Sequence, residues 1–267
     1  MSQVVSTDST NPAKSRKEAV VIYTLFCFAA LIQLVAIQYA LDKGTKRQKA
    51  IMTMTSGMLM LWVAVLGLIQ YHFRHRLRLF LSKFTRKLEP WCLFFLLSIM
   101  SFCIKEAVAT LLTNTAYLWD LSPIEASITA SGNYLVVIKH SFGDFLPIVV
   151  AWSILLSKIQ FSAFQVLLLH GLHCYLGLSD VFGGSLLSLG STILVNGLCL
   201  YTPAFAAQWP LTRVRVRWFH YVVGILFPFV CHVLFFSLYQ LFPFQVLFNG
   251  ILEGITEGLL DNLTELI

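Results

Sequence analysis

Charge is what this sequence has least of. Of its 267 residues only 12% are Asp, Glu, Lys or Arg, against about 25% in an ordinary soluble domain. Hydrophobic residues make up 57% and the mean hydropathy is +0.76, where soluble domains are about 45–50% apolar. One water-exposed globule cannot bury that surplus, which excludes a soluble enzyme. Disulfide patterns are missing too. Cys27, Cys92, Cys103, Cys174, Cys199 and Cys231 lie inside or at the edges of apolar runs, with no C-x-x-C pair and no loop framework. They read as small buried hydrophobes. Also absent are a Walker loop, an H-E-x-x-H pair, a nucleophile elbow and a dinucleotide fingerprint. What remains is a scaffold, a channel or a receptor.

Long apolar runs are what the chain does have. Seven can be marked: Val20–Leu41, Ile51–Tyr71, Trp91–Leu112, Tyr134–Leu156, Phe161–Leu178, Gly184–Phe205 and Trp218–Phe242. Crossing a hydrocarbon core of about 30 Å takes about 20 such residues. A backbone in lipid must satisfy its own hydrogen bonds, and no run alternates like a barrel strand, so these are helices. The expected fold is therefore all-α, a polytopic membrane protein with seven transmembrane helices. Residues 1–19 form a polar N-terminal tail, 20–244 the membrane domain, and 245–267 an acidic amphipathic tail. In that tail Glu253, Glu257, Asp261 and Glu265 share one helical stripe. It either contacts a partner or lies solvated on the membrane surface.

The net charge of +6, from 19 Lys+Arg against 13 Asp+Glu, sets orientation in such a protein rather than binding nucleic acid. Thirteen of the cations fall on the side of the N-terminus and four on the other, all between the first two runs. Lys105 and Lys139 lie within helices. The positive-inside rule puts the N-terminus in the cytoplasm or matrix and the C-terminus across the membrane.

Charged groups at mid-bilayer cost about 2.5–3.5 kcal/mol each, so those that persist need a reason. The third run has Lys105-Glu106 and the fourth Lys139-His140 with Asp144. His170 and His173 lie in the fifth, and His220 and His232 in the seventh. Glu106 and Lys139 can pair between helices. Such groups either fix helix packing or act on protons or lipid. His170 and His173, one turn apart, lack a cysteine or carboxylate at ligand spacing, so no metal site is assigned. Two histidines on facing helices, drawn from His140, His170, His173 and His232, could instead hold a b-type haem.

Several strings resemble cytochrome c oxidase subunit III. Leu121-Ser122-Pro123-Ile124-Glu125, Ala130-Ser131-Gly132 and Lys139-His140-Ser141 look like the family's L-N-P-x-E, A-S-G-V and H-H-S run. Leu178-Ser179-Asp180-Val181-Phe182-Gly183-Gly184-Ser185 looks like I-S-D-G-V-Y-G-S. Val195-Asn196-Gly197-Leu198-Cys199 resembles F-H-G-L-H, with Asn196 and Cys199 in place of its histidines. Trp218-Phe219-His220-Tyr221-Val222 resembles W-Y-W-H-F-V, followed by Val223 where the family has aspartate. Lys105-Glu106 occupies the place of the glutamate in the family's third helix.

The resemblance covers roughly 52–242, discontinuously. It implies an accessory chain of the mitochondrial inner membrane, N-terminus in the matrix, packed on catalytic subunit I and other oxidase subunits. Haem and copper would sit in those partners and none in this chain. Structural phospholipid such as cardiolipin would lie in a cleft between the first two helices and the other five. The basic stretch Arg74–Lys87 would face anionic headgroups, or would simply set topology. Glu106, Lys139, His140 and Asp144 become the expected buried polar, proton-path or lipid contacts, and Trp218 and His220 the anchors of the last helix. The competing expectations are a stand-alone seven-helix transporter or receptor using Glu106, Lys139 and Asp144, and the di-histidine haem protein.

Overall fold

Capping residues placed just ahead of apolar runs decide where the helices begin. The computed structural model describes residues 12–85, 88–126, 129, 131–178, 188–207, 209 and 212–241. Helix accounts for 89% of them, and no strand occurs among them. The acidic tail and the Ser179–Ser185 string lie outside the described residues.

Helix α1 spans Pro12–Lys43. It starts inside the segment expected to be a polar tail, because nothing in Pro12–Glu18 breaks a helix once the apolar run behind it has nucleated. After a two-residue break, Thr45 opens α2 (Lys46–Gly57) with a capping box: its hydroxyl accepts from the Gln48 amide, and the Gln48 side chain accepts from the Thr45 amide. The same path continues through a π-helical stretch, Met58–Gly67, into α3, Leu68–Thr85. From Lys46 to Thr85 the chain never leaves a helix, so at α-helical rise it is about 60 Å long, close to twice the bilayer core. Its far end must project from the membrane, which is where the basic residues of α3 begin.

Pro90 occupies the first turn of α4 (Pro90–Thr113), where its missing amide costs nothing. A 3-10 segment, Asn114–Trp119, and the short α5 (Pro123–Ala126) follow. Asn133 caps α6 (Tyr134–Lys158) by accepting from the Leu135 amide at 2.9 Å. Ser162 and Gln165 form a second capping box at the start of α7, Ala163–Leu178. Helices α8 (Leu189–Ala206) and α9 (Trp218–Leu241) complete the bundle.

Six helical segments are long and apolar enough to cross a membrane: 16–43, 46–81, 90–119, 134–158, 189–206 and 218–238. The fifth expected run forms α7, which is apolar but shorter than these. The described chain is thus a multi-pass helical membrane protein with six membrane-length helices, one fewer than the seven expected.

Helix α8 is the hub. Its apolar window is 67% buried within the chain, against 6% for α1 and 11% for α9. It touches α7, α4, α1 and α3. The α7–α8 contact is the closest. A Cβ on Gly171 would lie 2.5 Å from the backbone of Ile193, and one on Gly197 would strike the backbone of Leu167. Two glycines facing opposite backbones are how helices approach closely in lipid, where packing rather than water exclusion drives association.

The first two spans join the rest along α8. Ala29 lies beside Gly190, the Trp62 indole donates to the Val195 carbonyl at 2.7 Å, and Thr202 donates to Gln70 at 2.7 Å.

At one end of the bundle the cations of the α1–α2 turn have local partners. Lys46 bonds Asp120 at 3.0 Å, Lys49 sits over the Trp119 ring, and Arg47 donates to the Ala126 carbonyl. At the opposite end Arg213 donates to the carbonyls of Leu156 and Ile159, closing the end of α6. An isolated parallel bridge, Ile159 to Val214, reinforces that closure.

Candidate functional site

The interior polar groups gather where α4, α6, α7 and α9 meet. Glu106 is 7% exposed on α4, and the Lys105 amine lies 2.6 Å from its carboxylate. Sequence neighbours on a helix point about 100° apart, so the long lysine chain must bend round to meet Glu106. It does so with its amine 5.6 Å from the centre of the Phe102 ring. The sequence left open a pairing of Glu106 with Lys139; the structure pairs it with Lys105, the adjacent lysine, which reaches it without crossing between helices.

Phe102 organises the surroundings. It stacks on Phe145 of α6, centroids 4.4 Å apart, and meets His170 of α7 edge-on at 6.0 Å. His170 is fully buried, with Cys174 Sγ 3.7 Å from its Nε2. The His170 and His173 rings stack at 6.2 Å, and His173 Nδ1 lies 3.2 Å from the Ile225 carbonyl on α9. His232, also on α9, places Nδ1 3.1 Å from the Asp144 carbonyl on α6.

Electrostatic contact runs on through the set. Asp144 interacts with His232, Glu106, Lys105 and His140, and His173 with His232. Lys105 also interacts with Cys174 and Cys199. Pro147, Pro203 and Pro228 lie within α6, α8 and α9. Each lacks the amide that would otherwise bond the carbonyl four residues back, at Gly143, Cys199 and Gly224.

Of the six sequence-predicted positions, Glu106, Asp144 and His140 share this network. Asp144 and His140 stand on the exposed side of α6, and Lys139 is half-buried beside them. Trp218 and His220 lie elsewhere, at the start of α9. Trp218 is 78% exposed, whereas buried His220 accepts the Arg217 amide at its Nδ1, 2.9 Å away, and so caps the helix. At this end of α9, then, His220 is held by hydrogen bonding and Trp218 offers its ring outward.

Sequence reasoning missed the cysteines as members of the cluster. Cys199 is buried and Cys174 half-buried, and both are free thiols. It also missed two buried hydroxyls, Ser98 and Ser101, on the α4 face below Lys105; neither has a hydrogen-bond partner among the described residues. Their spacing from Lys105, seven and four residues, was the available signal. No group of three or more His, Cys, Asp or Glu among the described residues is disposed to hold a metal. Of the histidines considered for a haem, His173 meets Phe229 of α9 edge-on at 6.4 Å, and the Nδ1 atoms of His173 and His232 face the backbone carbonyls of Ile225 and Asp144.

The class defined by this fold and cluster is a polytopic helical membrane protein with titratable groups in its core. No family model, curated protein or solved structure matches the chain.

Proposed function

We propose that the chain is an accessory subunit of a larger membrane complex, specifically a subunit III-like brace of mitochondrial cytochrome c oxidase. In this reading α7 crosses with the other six helices, giving seven crossings with the N-terminus in the matrix. The chain packs on catalytic subunit I, which holds the haem and copper, and stabilises it, its phospholipid and its proton uptake.

The observation that carries the reading is Glu106: a buried carboxylate on the third long helix, clamped by Lys105 at 2.6 Å, where the resemblance has a helix glutamate. The distribution of apolar surface supports an accessory role. With only 6% of the α1 window and 11% of the α9 window buried inside the chain, the outer helices keep apolar faces for lipid and neighbouring subunits. In Glu106→Ala membranes, haem content should be unchanged while assembly or sustained turnover falls. Normal assembly and turnover in that variant would count against the role.

A second reading, a stand-alone proton-coupled transporter, is favoured by the linked groups Asp144, His232, His140 and Lys105–Glu106. It requires the purified chain to be stable alone and to support proton-coupled flux in vesicles that Asp144→Asn abolishes.

A further inference from the structure

Ionisable side chains inside a membrane face the bundle core or a wet cavity and pair with one another, as Lys105 and Glu106 do at 2.6 Å. Asp144 breaks that rule. It lies on the exposed side of α6, together with His140 one turn before it. Along α6 it stands about 15 Å from Tyr134 and about 21 Å from Lys158, near the middle of a hydrocarbon core of about 30 Å. His232 of α9 reaches the same level, about 21 Å from Trp218. Lysine and arginine have stems long enough to reach the headgroups from within a helix. Aspartate has a single methylene and cannot follow them.

Among the described residues the Asp144 carboxylate accepts no hydrogen bond and forms no ion pair. Charges on His232, Glu106, Lys105 and His140 act on it from α9, α4 and α6. Lys105 is already committed to Glu106. His232 turns its Nδ1 to the Asp144 backbone carbonyl, 3.1 Å away, rather than to the side chain. Lys139 precedes Asp144 by five residues and so points about 140° away round the helix. With neutral imidazoles, two carboxylates and one ammonium leave this set one cation short, and the shortfall sits on the outer surface.

We propose that the stripe Val136, His140 and Asp144 on α6 seats a membrane-spanning helix of a neighbouring subunit, which brings a Lys or Arg to Asp144 at mid-membrane. The three positions recur every fourth residue, which keeps them on one side of the helix, and all three are exposed. A basic side chain supplies the missing cation, and docking removes both charges from lipid together. Neither charge is stable alone in hydrocarbon, so the pair fixes the depth at which the two helices meet. A second copy related by a two-fold axis along the membrane normal would bring the same acid to the same depth. Two like carboxylates oppose each other's ionisation, so the partner is a different chain. The proposal rests on the accessory-subunit reading, but not on which complex the chain joins.

The test uses the full chain in its source membrane, with a photo-activated cross-linking residue in place of Val136. The adduct should map to a membrane-spanning segment of another chain that contains a Lys or Arg. Retention of that chain is then measured after detergent extraction. Asp144→Asn should weaken it roughly 3–30-fold, the range of a polar contact between helices in a membrane, and Asp144→Glu should keep most of it. Asp144→Lys alone should abolish retention, and an acid placed at the partner's cross-linked basic position should restore it. Val136→Trp alters the shape of the stripe without touching its charge and should also weaken retention, which covers an Asp144 variant that fails to fold.

If the wild-type chain is extracted with no other membrane chain, the accessory-subunit reading and this interface fall together. If a partner is retained, the reading stands and the interface is judged separately. Unchanged retention in a folded Asp144→Asn variant or in Val136→Trp would overturn the interface. So would a Val136 adduct with lipid, with a second copy of this chain, or with a span that has no Lys or Arg.

Discussion

Replacing Gly171 with alanine is the sharpest probe of how the bundle holds together. The added Cβ would sit 2.5 Å from both the Cα and the carbonyl oxygen of Ile193, atoms of a backbone that cannot rotate away. Ordinary contact is about 3.5–4.0 Å, so α7 and α8 must separate by about 1 Å. A gap of that size forfeits a quarter to a half of each dispersion well it opens, and overpacking of this kind costs about 1–3 kcal/mol. The better helix propensity of alanine returns up to about 1 kcal/mol. A net loss of about 1–2 kcal/mol follows.

Among the described residues nothing lies within 4 Å of a Cβ built on Gly177, on the same helix, so Gly177→Ala should be neutral or slightly stabilising. For a chain of this size each kcal/mol shifts the melting temperature by about 2–4 °C. Thermal unfolding in one detergent should therefore separate the two variants by about 3–10 °C, Gly171→Ala melting lower. Coincident melting curves would refute the close approach of α7 and α8. Gly197→Ala, facing the backbone of Leu167 from α8, should repeat the loss.

Other expectations follow from individual contacts. Glu106→Ala leaves the Lys105 ammonium buried without its carboxylate and should cost about 3–5 kcal/mol, whereas Lys105→Met with Glu106→Leu should recover most of it; chemical denaturation in detergent measures both. Trp62→Phe removes the donor to the Val195 carbonyl and should cost about 1–2 kcal/mol, seen as earlier melting of the contact between the Met58–Gly67 stretch and α8 by site-specific fluorescence. Ser98→Ala deletes a buried hydroxyl that has no partner among the described residues, so it should be neutral or stabilising by up to about 1 kcal/mol; a clear loss of stability would show that the hydroxyl is bonded. The Ser122 amide and hydroxyl hold the Glu125 carboxyl below the usual carboxylate range. Its turn is therefore fully supported above that range and loosens as pH falls through the lowered value, which a pH titration of the Ser122 amide resonance would follow.

Hydropathy located six membrane-length helices because a period-independent apolar run of that length has no other stable form in lipid. It misjudged α1 and α3 for one reason: polar residues such as Lys14–Glu18 and His72–Arg78 end an apolar run but do not end a helix. The true boundaries follow capping chemistry, and Thr45 with Gln48, Ser122 with Glu125 and Ser162 with Gln165 were readable as capping boxes. In the cluster, Glu106 was found by its cost in lipid, but its partner was not. Pairing depends on side-chain reach and on Phe102, which composition does not encode. Cys174 and Cys199 passed as apolar filler because a thiol has no charge to betray it. The α7–α8 approach was hidden because a glycine inside an apolar run carries no mark of what faces it.

The proposed role, a brace for a haem-bearing neighbour, requires the chain to migrate with that neighbour. A native gel of the source membrane, probed for the chain and stained for cytochrome c oxidase activity in the same lane, tests it directly. A brace gives one high-mass band positive for both. A chain of 30.1 kDa migrating by itself, with oxidase activity in a separate band, would contradict it.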